Sequence, residues 1–418
     1  VNEVAQAWRA APPLLGIVQQ HVDETAALRR QRTRLVAGAE ITLPLLQRHD
    51  ERIDAHLDGI AVAAEAGREL VHAALREPGC GEVFAAAATA ILAHDHAALD
   101  PLLALASANT DAARGLVSAL GWVPAQALRG LAARLLASDD AAARMAGLAA
   151  CAMHLADPGC ALDAALADTR PALVCCALEV AGRLGRLALL PACLHTLDDA
   201  EPSTRQASVR AALLLGDRSR ALAAASDDGS LGLLMRVMPP ASALAQLEPL
   251  AHEPAKARTL VRCAGLLGLP QHIPWLLGLC GDPLLARAAG ESFALITGLD
   301  LAQEPGAALP ATDRATGPDG DPENDDVAIA EDEGLPWPDP DRLSHWWTVH
   351  GHRFPAGGRF FMGAPPEAAH CRRVLRHGSQ RQRRAAAEWL CLLHPGTRLF
   401  PTSAPARHQQ RWLDRMGA

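Results

Sequence analysis

The densest run of ionisable residues in the sequence is His49-Asp50-Glu51-Arg52-Ile53-Asp54-Ala55-His56-Leu57-Asp58. Placed on a helix, Glu51, Asp54 and Asp58 lie on one face, and His49 and His56 stand one heptad apart. Imidazoles and carboxylates make a metal site when they converge at about 2.0–2.2 Å from one ion. One helix supplies at most two such ligands, so a site here needs a further residue from elsewhere, such as His21 or Asp23. The simpler reading is a charged face that caps or pairs with a neighbouring helix. His94-Asp95-His96, and His345 with His350-Gly351-His352, also carry imidazoles that suit transition metals. Neither shows the i, i+4 pair of a helical H-E-x-x-H site. The expectation is no metal and no cofactor.

A second chemistry is suggested by Arg372, Arg373, Arg376, Arg381, Arg383 and Arg384, with Trp346, Trp347, Trp389 and Trp412 nearby in sequence. Clustered positive charge binds phosphates, and indoles stack on bases. Against nucleic acid stands the formal net charge of −8, which leaves the chain acidic as a whole. The blander reading pairs these arginines with acidic segments of the same molecule, which a tether holds at high effective concentration. No P-loop, G-x-S-x-G or G-x-G-x-x-G occurs in a strand-turn-helix context. The chain is read as a non-enzyme.

Composition dictates the elements that must carry these residues. Half the residues are apolar, only 3% are aromatic and Tyr is absent, so the apolar mass is Ala and Leu. Those residues favour helices, while strand formers are scarce. At 418 residues the chain is too long for one ordinary compact domain, which leaves several domains or an extended array. No apolar run reaches the roughly 18 residues needed to span a bilayer. The first residues lack a signal-peptide layout, and the ten cysteines include no C-x-x-C pair. A cytoplasmic location is expected.

Four regions follow. Residues 1–105 read as a helical N-terminal region. Its clearest helix starts near Thr42, with Pro44 in the first turn, and carries the apolar stripe Leu46, Ile53, Leu57, Ile60 and Ala64 towards Pro78-Gly79. Residues 106–302 are repetitive: Leu184-Gly185 with Pro191 recurs as Leu267-Gly268 with Pro274, and related breaks fall at Gly121, Gly216 and Gly298. Steps near 30 residues, with two short helices each, mark a helical-hairpin solenoid. The longer step from Gly216 to Gly268 implies one irregular unit around Met238-Pro239-Pro240. Residues 303–342 carry twelve acidic residues against Arg314 and Arg342, with seven prolines, and read as a disordered acidic linker. Residues 343–418 are basic and Trp-containing, with Gly357-Gly358 in a loop and a helix through Gln380–Leu393.

Two stretches carry a family likeness. One is Arg48-His49-Asp50-Glu51-Arg52-Ile53-Asp54-Ala55-His56-Leu57-Asp58-Gly59-Ile60 with Glu65-Ala66-Gly67. The other runs from Trp346-Trp347 through Gly358-Arg359-Phe360-Phe361-Met362-Gly363-Ala364-Pro365 to Gln380-Arg381-Gln382-Arg383-Arg384. With Ile296-Thr297-Gly298-Leu299-Asp300-Leu301 between them, the chain resembles a proteobacterial family of HEAT-like repeat proteins. Genes of that family are often found beside type VI secretion genes for spike, tip and effector proteins. The likeness spans nearly the whole chain; Phe360-Phe361 departs from it where a Tyr is common.

The expected fold is therefore all-α, a HEAT-like helical-hairpin solenoid. The resemblance implies genomic company and supplies no catalytic residue. The expected function is a protein-interaction scaffold, an accessory adaptor or chaperone for a secreted effector, spike or tip protein. The motif residues that could serve an interaction are Asp50, Glu51, Arg52, His56, Asp58, Trp346, Trp347, Gly358, Arg359, Gly363, Arg381 and Arg384. The alternatives are an immunity protein that binds a toxin, and a metal-dependent or nucleic-acid-acting HEAT-like enzyme.

Overall fold

A computed structural model describes residues 12–225, 230–309, 332 and 334–417. The described residues form an all-α, solenoid-like fold of twenty-two α-helices, with two isolated β-bridges. Their order begins α1 Leu15–Ala37, α2 Leu43–Val62, α3 Ala64–Ala74, α4 Cys80–Leu92 and α5 Leu99–Ala108. It continues with α6 Thr110–Trp122, α7 Leu131–Leu136, α8 Ala141–Met153, α9 Cys160–Leu166 and α10 Pro171–Arg183. Then come α11 Leu190–His195, α12 Pro202–Leu214, α13 Arg220–Ala224, α14 Leu231–Val237, α15 Pro240–Ala251 and α16 Ala257–Leu267. The last are α17 Ile273–Leu279, α18 Ala286–Thr297, α19 Pro340–His350, α20 Ala368–His377, α21 Gln380–Leu393 and α22 Ala406–Gly417.

The chain falls into two compact units. Unit 1 holds the described residues up to Ala37, Ile41–Leu184 and those from Pro401 onward; unit 2 holds Gly38–Glu40 and the described residues of Gly185–Phe400. These boundaries do not coincide with the four regions drawn from composition. The basic C-terminal stretch is divided between the two units, because its helices bury their apolar faces on earlier parts of the chain.

Hairpin packing runs through both units. In unit 1, α4 packs on α6, α6 on α8 and α8 on α10, with α5, α7 and α9 as the outer partners. In unit 2, α14 packs on α16 and α16 on α18, with α15 and α17 alongside. The second helices of the hairpins start at Cys80, Thr110, Ala141, Pro171, Pro202, Leu231, Ala257 and Ala286, steps of 26 to 31 residues. The irregular unit expected near Pro239 is thus two repeats, one of them shortened. It hides in the sequence because α14 ends on Met238-Pro239 without a glycine.

The core of unit 1 gathers Ile53, Leu57 and Ile60 of α2 with Phe84, Ile91, Leu116 and Trp122. The core of unit 2 gathers Val261, Ile273, Leu276, Phe293 and Ile296 with Leu343, Phe354 and Phe360 of the C-terminal stretch. The stripe expected on α2 is buried at Leu46, Ile53, Leu57 and Ile60. It stops short of exposed Ala64, where a left-handed residue (φ +50°) starts a new helix. Gly185, Gly216, Gly268 and Gly298 close helices in the left-handed conformation as expected. Gly121 does not: it lies inside α6, where a Cβ would meet the Met153 sulfur at 2.5 Å. Its lack of a side chain serves close helix packing.

The acidic segment is only partly as expected. Residues 310–331 and 333 lie outside the described residues, but both flanks are folded within unit 2. The Leu309 amide donates to the Trp337 carbonyl at 2.8 Å, and the Asp339 amide to Ala307 at 2.9 Å. Asp332 is buried and pairs with Arg258 and Arg287. The flanks escape the compositional rule because Leu301, Ala307 and Pro338 reach the unit 2 core.

Candidate functional site

The N-terminal motif is built on α2, where position 50 falls within the apolar stripe of Leu46, Ile53 and Leu57. Asp50 is therefore 3% exposed, and a buried carboxylate needs opposite charge and donors. Arg32 of α1 supplies both, with its Nε 2.6 Å from Oδ1 and its Nη2 3.1 Å from Oδ2. The Ala406 amide, the first N–H of α22, donates to Oδ2 at 2.7 Å. Arg32 spends its remaining donors on the carbonyls of Ser403 at 2.8 Å and Ala404 at 2.9 Å. A negative charge at a helix N-terminus is favoured by the helix dipole as well as by the hydrogen bond.

One turn further along α2, Asp54 accepts from the Trp122 indole N–H at 2.8 Å and pairs with Arg407 of α22. Arg407 also donates to the Trp122 carbonyl at 2.7 Å. The guanidiniums of Arg32 and Arg407 lie 5.3 and 5.2 Å from the Trp122 ring centroid, within cation–π range. His49 donates through Nε2 to the Leu28 carbonyl at 2.9 Å, which makes it a strut between α1 and α2. His49, Asp50 and Asp54 thus work inward.

The remaining motif positions divide. Glu51, Arg52 and Asp58 are exposed; Glu51 accepts from Gln47 at 2.8 Å. His56 meets His21 of α1, with the two Nδ1 atoms 3.0 Å apart. Among the described residues no group of three or more His, Cys, Asp or Glu side chains converges to hold a metal. His94-Asp95-His96 is a turn in which Asp95 accepts from the Ala98 amide, and His350 packs against Trp346.

Near the same end of unit 1, His408 of α22 is 2% exposed between His154 (centroids 5.5 Å) and Trp412 (6.0 Å). Neither of its ring nitrogens has a hydrogen-bond partner among the described residues. Burial pushes its pKa down to about 3, with Arg407, His154 and Arg411 acting in the same direction. It is a neutral, packed imidazole.

Unit 2 repeats the theme with the polarity reversed. Glu388 of α21 is buried between Arg210 of α12 and Arg236 of α14, with the Arg210 Nη2 at 2.9 Å. Burial pushes its carboxyl up, but the two guanidiniums outweigh that and hold it below the ordinary range. Arg359 donates to the carbonyls of Arg236 and Met238, capping the C-terminal end of α14. The backbone beyond it runs over the repeat ends. The Phe360 amide donates to Gly268 at 2.8 Å, the Met362 amide to Leu295 at 2.6 Å, and the Gly363 amide to Ile296 at 3.1 Å. Gly268 and Gly298 are needed twice over: each takes a positive φ, and a Cβ would lie 2.3 Å from the Phe360 oxygen or 2.6 Å from the Met362 oxygen.

The tail motif is likewise structural. Trp346 stacks edge-on against Phe293 at 5.8 Å, and Trp347 packs on Phe354 at 5.5 Å. A Cβ at Gly358 would press on the Phe360 ring, and Gly363 holds φ +85°. Arg381 reaches both oxygens of Glu291, at 3.0 and 2.9 Å. Arg383, fully buried, donates to the Leu375 carbonyl and the Gln380 side chain. Arg384, Arg372 and Arg373 remain exposed. Arg381 therefore pairs with acid, while Arg383 donates to neutral groups.

Sequence reasoning missed Arg32, Trp122, Arg407, His408, Arg210 and Arg236. Apart from the His408–Trp412 contact, their partners lie from 18 to 372 residues away, beyond any helical spacing. The one available signal was a carboxylate placed inside an apolar stripe.

Asp50→Ala strands the buried Arg32 charge and should cost about 3–5 kcal/mol. Urea unfolding of the variant measures this, and a loss below about 1 kcal/mol would contradict the geometry. His408 gives a pH signature. Because its folded pKa is depressed, its stabilisation is complete above pH ~6.5 and is lost as pH falls towards 3. His408→Leu should flatten the fall in melting temperature between pH 6.5 and 4; an unchanged slope would reject this role. No protein-family model matches the chain, and no curated protein or solved structure matches it either.

Proposed function

We propose that this protein is a non-catalytic interaction scaffold, acting as an accessory adaptor or chaperone for a secreted effector, spike or tip protein. The genomic company implied by the family resemblance supports the partner class, and the helical-hairpin repeats suit a binding surface. The proposed setting is the cytoplasm, before export. No described helix is long and apolar enough to cross a membrane.

The observation that carries the reading is how unit 2 spends its side chains. Its charged and aromatic motif residues are largely taken up in internal contacts, while large apolar residues stand outward on the first helices of its hairpins. Leu187 precedes α11, Leu244 lies on α15 and Trp275 lies on α17, and each is more than a third exposed. Leu244 and Trp275 lie on the first helices of successive hairpins. Exposed tryptophan is a frequent anchor of protein–protein interfaces, because one indole buries a large area at low entropy cost.

The test is an affinity pull-down of the full chain from its native host, read by mass spectrometry, beside a Trp275→Ala variant. Recovery of an effector, spike or tip protein is expected, with binding at least about tenfold weaker in the variant. Equal capture by both chains would remove the assigned face, and recovery of none of these proteins would overturn the adaptor reading.

A further inference from the structure

The contact between α1 and α2 contains an arrangement that the scaffold role does not use. His21 and His56 are both half-buried, on different helices, and their Nδ1 atoms face each other at 3.0 Å. The rings stand at 64°, with centroids 5.1 Å apart. Room for this is made by Gly59, one turn beyond His56. A Cβ there would lie 2.6 Å from two atoms of the His21 ring. The backbone of α1 fixes the residue as well, through the Thr25 hydroxyl, which donates to the His21 carbonyl at 2.8 Å.

Two nitrogens bound to one tetrahedral ion at about 2.0–2.1 Å stand roughly 3.3–3.4 Å apart. The His21–His56 separation is within a few tenths of an ångström of that value, so a small ring rotation admits an ion. Neutral imidazole favours zinc, copper and nickel over magnesium or calcium. Glu24 and Arg52 are both close enough to be felt by His56, with opposite charges.

We propose that His21 and His56 form a two-imidazole site for a divalent transition ion, with water completing the coordination. The ion would link α1 to α2. A site with two protein ligands and open positions is an exchangeable one, and copper should bind more tightly than zinc.

The experiment is isothermal titration of the full, tag-free chain with zinc chloride at pH 7.5, repeated with His21→Gln and His56→Gln. One zinc per chain is expected, with affinity reduced at least about tenfold in either variant. Circular dichroism establishes that each variant is folded; if one is not, Gly59→Ala, which displaces the His21 ring, takes its place and should weaken zinc similarly. Absence of zinc binding, or binding that survives both substitutions, overturns the proposal.

Discussion

A carboxylate withdrawn from water is tolerated only when charge and hydrogen bonds replace its hydration, and in unit 1 that demand falls on Asp50. Arg32 and the Ala406 amide meet it, and Arg32 in turn satisfies Ser403 and Ala404. One buried pair thereby joins α1 and α2 to the start of α22, which lies 356 residues beyond Asp50. The arrangement is directional in a way that apolar contact is not. Leu46 or Ile53 could slide against many partners, but the guanidinium–carboxylate fork admits one register.

Unit 2 meets the same problem with the roles exchanged. The acid, Glu388, comes from the C-terminal stretch, and Arg210 and Arg236 come from the repeats. Arg359 adds a cap on α14, and residues 360–363 pair with backbone at the ends of α16 and α18. Helical-hairpin arrays stack through apolar surface that any further repeat could extend, so they need covering elements at defined places. The C-terminal stretch supplies such cover in each unit, and its polar anchors determine where it sits.

Much of the architecture was legible in the sequence because it rests on local rules. The all-α class follows from Ala and Leu content, and the left-handed closures at Gly185, Gly216, Gly268 and Gly298 follow from glycine breaks that fall in two pairs about 30 residues apart. The shortened repeat around α14 was not legible, since Met238-Pro239 ends the helix by a different device. Gly121 misled because glycine serves close packing as readily as chain reversal. The motif around Asp50 could be recognised as unusual, but its partners Arg32, Trp122 and Arg407 are joined only by tertiary packing. Likewise, Arg381 and Arg383 look alike as text, yet one meets Glu291 and the other a carbonyl and an amide.

The central claim is that the motif residues of α2 hold the last helix as an integral part of unit 1. Hydrogen exchange of the full chain, followed by mass spectrometry, tests it most directly. The account predicts that amides of Ala406–Gly417 are protected to the same degree as those of Leu43–Val62, and that both segments open together as denaturant is added. Exchange of the last helix at the rate of an unfolded peptide, while Leu43–Val62 stays protected, would contradict it.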